Sequence, residues 1–230
     1  MVKRKRKSIK LTLSLILFLL GFSIFIFPSI TNYLYNKKVS KLKDEYEEVV
    51  RNNNFDSLYN LLKKENNDLY KNKQKSFVSQ KISYEKALID LKKYDLDNNI
   101  IAFLNIPSID ITLPIYLGAS KSNMRLGAVH LTGTTYPIGG DNTNSVIAAH
   151  RGFYKTLMFR HIDKIKKGDK LYIKNFKETL IYKAVDIDII DSKDINKLVI
   201  QNNKDMVTII SCHPYPFNYQ RYVVYFEREK

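Results

Sequence analysis

The sequence predicts a mainly β domain carried behind an apolar helix and a helical segment, and three observations predict it. An uncharged run of 20 residues stands near the N-terminus, and a polar stretch rich in Lys, Asn and Glu, with apolar residues at helical spacing, follows it. From about residue 97 onward, short apolar runs alternate with Gly, Pro, Asn and Asp, the punctuation of strands and turns. At 230 residues, 44% hydrophobic and 27% charged, the chain is globular rather than disordered, with room for one domain and accessory elements.

Residues 1–10 carry Lys3, Arg4, Lys5, Arg6, Lys7 and Lys10, and residues 11–30, LTLSLILFLLGFSIFIFPSI, carry no charge. As a helix that run rises about 30 Å, the thickness of a hydrocarbon core. A basic cluster before a spanning helix stays in the cytoplasm, so residues 1–10 read as a cytoplasmic tail, residues 11–30 as a single transmembrane helix in contact with lipid, and the rest as extracytoplasmic. A cleaved signal peptide is the rival reading. The length of the run and the lack of a clean small-x-small site favour the anchor, and a lipoprotein signal would need a cysteine that is absent there. The net charge of +15 raises the question of nucleic acid, but six of the positive charges sit in the first ten residues and the remainder form no basic stripe. The reading is therefore no nucleic-acid partner.

Residues 31–96 read as a helical stalk and collar, a spacer without chemistry. Val39, Leu42, Tyr46, Val49 and Val50 recur at helical spacing, and Asn52, Asn53 and Asn54 interrupt the pattern. Asp56 is placed to cap a second helix with Leu58, Leu61, Leu62 and Leu69 on its apolar face, and Tyr84, Ala87, Leu88 and Leu91 predict a third.

Residues 97–230 hold the β region. Seven runs stand out: IIAFLNIP, ITLPIY, SVIAAH, KLYIKN, TLIYKAVDIDII, DMVTIISC and RYVVYFER. Seven or eight strands in about 130 residues imply a closed or sandwiched all-β domain.

Two of these runs deliver chemistry to a loop. Residues 146–152, VIAAHRG, bring His150 to a Gly-containing turn, and residues 208–212, TIISC, end in the chain's single cysteine, Cys212, with Arg221 on the next strand. Together they offer a nucleophile, an acid/base group and a fixed cation. Each also has an ordinary reading: a lone Cys packs as a small hydrophobe, a lone His is more often structural, and an Arg on a strand is usually a surface charge. One cysteine cannot form an intramolecular disulfide or a Cys-rich zinc site. Spacing alone leaves the functional and structural readings about even.

The order and content of three blocks decide between them. Residues 106–116 (IPSIDITLPIY), 127–152 (GAVHLTGTTYPIGGDNTNSVIAAHRG) and 208–221 (TIISCHPYPFNYQR) resemble the sortase family, with Thr208-Ile209-Ile210-Ser211-Cys212 standing for its Thr-Leu-x-Thr-Cys box. The resemblance implies a closed β-barrel of about eight strands and a cysteine transpeptidase that needs no metal or other cofactor. It also implies Cys212 as the thioester-forming nucleophile, His150 as general acid/base, and Arg221 as the oxyanion or substrate-positioning group. His130 matches a histidine of pilin-type members; it is a candidate to line the substrate cleft, with a structural role the favoured reading.

The nine-residue spacing from Cys212 to Arg221, the block around Gly133 to Gly140 and Asn218 resemble class C, pilin-type sortases. The sequence departs from that class in having no Asp-Pro-aromatic lid motif between Asn66 and Asn98 and no second apolar segment before Lys230. The resemblance implies partners of two kinds: proteins bearing an LPxTG-like sorting signal, and an acceptor amine from a pilin lysine or a peptidoglycan precursor. It also implies a cell membrane of Gram-positive type. A housekeeping sortase that anchors surface proteins to peptidoglycan, and an inactive membrane-tethered scaffold, are the alternatives. An L,D-transpeptidase-like enzyme is disfavoured by the absence of a Ser-His-Gly-Cys box.

Overall fold

A computed structural model describes residues 2–80, 83–96, 98–152 and 156–229; the side chains of residues 1–9, and with them the basic cluster Lys3 to Lys7, lie outside what is described. Helix α1 (Val2–Asn52) runs unbroken through Pro28, and α2 (Asp56–Lys71) and the short α3 (Lys75–Val78) follow. Eight strands come next: β1 (Ile100–Ile106), β2 (Ile111–Leu117), β3 (Ala128–His130), β4 (Thr143–Ala148), β5 (Lys170–Asn175), β6 (Thr179–Asp191), β7 (Asp205–His213) and β8 (Gln220–Arg228). They close into a barrel in the order β1-β2-β3-β4-β7-β8-β6-β5. The short helix α4 (Lys121–Leu126) carries the crossover that makes β2 and β3 parallel.

All seven apolar runs form strands, as their β-branched and aromatic content predicts. The eighth, β3, has three residues and is too short to show alternation in sequence. Ile101, Leu104, Ile115, Ile147, Ile173, Val207, Ile209 and Val223 are fully buried inside the barrel wall. Closure leaves no unpaired sheet edge.

The helical segment packs against the barrel. On α1, Tyr46 is buried, its hydroxyl donates to the Ile101 carbonyl at 2.9 Å, and its ring meets Phe103 edge-on at 5.4 Å. Further along, Lys174 pairs with Glu47 at 2.7 Å. On α2, Leu58 and Leu62 face the same core, and Asn66 is clamped to Tyr136: its amide donates to the carbonyl at 3.2 Å and its side-chain oxygen accepts the N–H at 2.7 Å. Asp56 opens α2 as its first helical residue, while the cap position is Phe55 and the Asn54 side chain accepts the Asp56 N–H at 2.7 Å.

The third helix expected from Tyr84, Ala87, Leu88 and Leu91 does not form. Those residues do not share a face: Leu91 is buried in a 3₁₀ turn, Leu91–Tyr94, whereas Leu88 is 60% exposed. The chain around Tyr84 to Ala87 instead lies as a strap against the barrel. The Ala119 N–H donates to Tyr84 O at 2.6 Å, and the Thr132 hydroxyl donates to Lys86 O at 2.8 Å. Gly118, at φ +79°, permits this approach; a Cβ there would lie 2.7 Å from Glu85 O and 2.8 Å from Ala87 N.

On α1 the side chains of the apolar run point outward: Leu11, Phe18, Ile24 and Phe25 are all more than half exposed. The helix is long and apolar enough to cross a membrane.

Candidate active site

The site follows from one feature of the topology. Strand β7 pairs parallel with β4, residue Ile210 opposite Ala148, so both strands deliver their C-terminal ends to the same end of the barrel. The pairing continues one step further, with the Ala149 N–H donating to Ile210 O at 3.3 Å and the Ser211 hydroxyl donating to Ala149 O at 2.8 Å. His150 and Cys212 are the next residue of each chain. Strand β8 returns antiparallel beside β7, with Arg221 directly across from Cys212. Facing residues of an antiparallel pair project from the same side of the sheet. Two strand pairings therefore bring together three residues spread over more than 70 positions of sequence.

Each is partly buried. Burial pushes the His150 imidazole below its ordinary value, because the charged ring is desolvated. Its carbonyl accepts the Phe159 N–H at 3.0 Å, which places Phe159 beside the site. The Arg221 guanidinium is held by its own turn: Nη1 donates to Asn218 O at 2.9 Å and to Gln220 O at 2.8 Å. The turn is closed by the Asn218 N–H donating to Pro214 O at 2.9 Å, with Asn218 at φ +63°, a conformation asparagine tolerates better than most residues.

A family model described as "Sortase domain" matches residues 104–229. The chain belongs to the sortase family. Sortase A of Listeria monocytogenes is 29% identical over 138 residues, which is 60% of each chain, and sortase D of Bacillus subtilis is 29% identical over 130 residues. The chain spans 60% and 62% of those relatives' lengths. Among solved structures, sortase C of Clostridium perfringens SM101 superposes with a TM-score of 0.63 at 32% identity, covering 84% of this chain and 99% of that one. The strand ends carrying His150, Cys212 and Arg221 lie inside the matched region.

Within the box of this sortase, Thr208 and Ser211 hold the frame. The Thr208 hydroxyl donates to Asn144 Oδ1 at 2.8 Å, and Ser211 ties β7 to the residue before His150. His130 sits deeper than an open cleft wall: it is 2% exposed, Nε2 donates to Thr135 O at 2.9 Å, and the ring stacks on Tyr136 at 5.1 Å. Desolvation pushes its pKa down to about 4, so the ring is neutral at pH 7.

A group not singled out from the sequence braces the outer side of the site. Arg151 Nη1 donates to His213 Nδ1 at 3.0 Å, Nη2 pairs with Asp163 at 3.2 Å, and the guanidinium lies 5.3 Å from the centre of the Tyr222 ring. Arg151 follows His150 and His213 follows Cys212, so this contact joins the two loops one residue past the site. Strand alternation puts the His213 side chain on the opposite face from Cys212. Its only sequence signal is adjacency to the paired residues. Among the described residues, no group of three or more His, Cys, Asp or Glu side chains is placed to hold a metal ion.

Proposed function

We propose that this chain is a membrane-anchored transpeptidase that cleaves an LPxTG-like sorting signal through a Cys212 thioester and joins the acyl fragment to a pilin lysine. The observation that carries the reading is the pairing of β4 and β8 on either side of β7, which sets His150 and Arg221 beside the one cysteine of the chain. Cys212 Sγ attacks the threonine carbonyl carbon of the signal. The C–N bond then breaks, and the departing glycine nitrogen takes a proton from the His150 imidazolium. Arg221, fixed by its turn, stabilises the oxygen that gains charge or holds the signal's backbone. An incoming amine attacks the thioester, gives its proton to His150 and expels the thiolate. Because burial disfavours the imidazolium, it lowers the share of His150 in the form that protonates the leaving amine.

Two features support lysine as the acceptor. The nine-residue spacing of Cys212 and Arg221 leaves a shorter turn beside the nucleophile than a long loop would, which suits a folded protein acceptor, and sortase C structures are among the chain's structural neighbours. One of these, from Streptococcus pneumoniae, is described with pilin substrate specificity. The similarity to Listeria sortase A favours the second reading, anchoring to a peptidoglycan amine. In both readings α1 anchors the enzyme, with the basic tail inside and the barrel on the outer face. Incubating the enzyme with a sorting-signal protein and offering a pilin-domain lysine and a peptidoglycan-type amine in competition tests the acceptor. The lysine conjugate is expected to dominate, and a product carrying the small amine alone contradicts the pilin reading.

A further inference from the structure

A groove of about 730 Å³ runs between α1 and the barrel, with Phe27 and Leu34 on the helix side and Tyr116 and Leu126 on the barrel side. Phe27 belongs to the apolar run and is half exposed, so the groove opens at the level of the bilayer. From there it climbs along α1 past Thr31 to Lys38, about 16 Å at 1.5 Å per residue, from hydrocarbon through the headgroup layer. Helical side chains lean toward the helix N-terminus, which turns Lys38 back toward the membrane.

Three of the polar residues that line this space bear on its occupant. Lys38 and Arg125 both line it, and neither forms an ion pair among the described residues. Thr156 also lines it; the residue is 6% exposed and its hydroxyl has no hydrogen-bond partner among the described residues. A buried hydroxyl without a partner is uncommon and calls for an acceptor. Two cations, one orphaned donor and an apolar wall continuous with the bilayer match a molecule with an anionic, oxygen-rich head and an acyl tail. A zwitterionic lipid would set its own ammonium against Lys38 and Arg125.

We propose that this groove seats one anionic phospholipid of the adjoining leaflet, its phosphate oxygens accepting from Lys38 and Arg125, and from Thr156 once its buried hydroxyl turns into the groove, and its acyl chain lying along Phe27 and Leu34. The site stands next to the catalytic end of the barrel, since Thr156 precedes Leu157, whose N–H donates to Asn32 Oδ1 on α1 at 3.4 Å, and Phe159, which is bonded to His150 O.

Native mass spectrometry of the full chain in mild detergent, with phosphatidylglycerol and phosphatidylcholine of matched acyl chains, reads the site without reference to transpeptidation. The proposal rests on α1 as a bilayer anchor, which flotation with vesicles tests separately. Wild type should retain one phosphatidylglycerol in preference to phosphatidylcholine. Thr156→Val, and Lys38→Gln combined with Arg125→Gln, should each lower that retention by about tenfold. Thr156→Ser keeps the hydroxyl and should retain lipid as wild type does, which controls for variants that fail to fold. Equal retention of the two lipids, Thr156→Val and double variants that hold phosphatidylglycerol like wild type, or a dimer carrying no lipid would each overturn the proposal.

Discussion

Ser211 and His130 show how single buried side chains hold the frame around the strand ends. The Ser211 hydroxyl is the last side-chain tie between β7 and β4 before Cys212 and His150, and it is buried. Ser211→Ala leaves the Ala149 carbonyl without that donor and should cost about 1 kcal/mol of stability, with a lower kcat for signal cleavage. Ser211→Thr keeps the hydroxyl and should keep both, and denaturant unfolding beside a cleavage assay separates the variants. His130 binds a proton more weakly folded than unfolded, with a pKa of about 4 against 6.5 for the free side chain. Stability therefore rises with pH across that window and is lost as pH falls through it, by on the order of 3 kcal/mol. Urea unfolding at pH 7 and pH 4 should show that loss, and it should shrink in His130→Gln. The sequence motif names Cys212, His150 and Arg221, but the Arg151 to His213 contact is invisible to it, because that contact exists only once β4 and β7 lie parallel.

Among the elements, the strands were legible because each long run of β-branched and aromatic residues became a strand with a buried inner face. β3 was not, since three residues cannot display a period of two. The missing third helix has the opposite cause. Tyr84, Ala87, Leu88 and Leu91 mimic helical spacing, yet the strap they belong to is set by a tertiary contact at Gly118 that no local pattern encodes. Gly118→Ala should push the strap off the barrel through both its φ and its Cβ contacts, and a loss of about 2 kcal/mol or more is expected. The check is hydrogen exchange, with faster exchange at the Ala119 amide, which donates to Tyr84 O, than in the barrel strands.

For the whole molecule, α1 is both the apolar span and one wall of the folded domain, with Val39 and Tyr46 buried in the same core as Leu58 and the barrel residues. A segment that reads in sequence as a spacer thus fixes the barrel close to where the chain leaves the apolar run; Asn32, two residues past it, already touches the segment that follows His150. That closeness suits the proposed function, in which protein substrates and acceptors meet the site at a membrane surface. The central claim is that the β4, β7 and β8 ends form one nucleophilic site at Cys212. Intact and tandem mass spectrometry after mixing the full chain with a sorting-signal peptide tests it most directly. An acyl adduct on Cys212, gone after hydroxylamine and absent in Cys212→Ala, is the predicted result; joined product from Cys212→Ala, or an adduct on another residue, would contradict it.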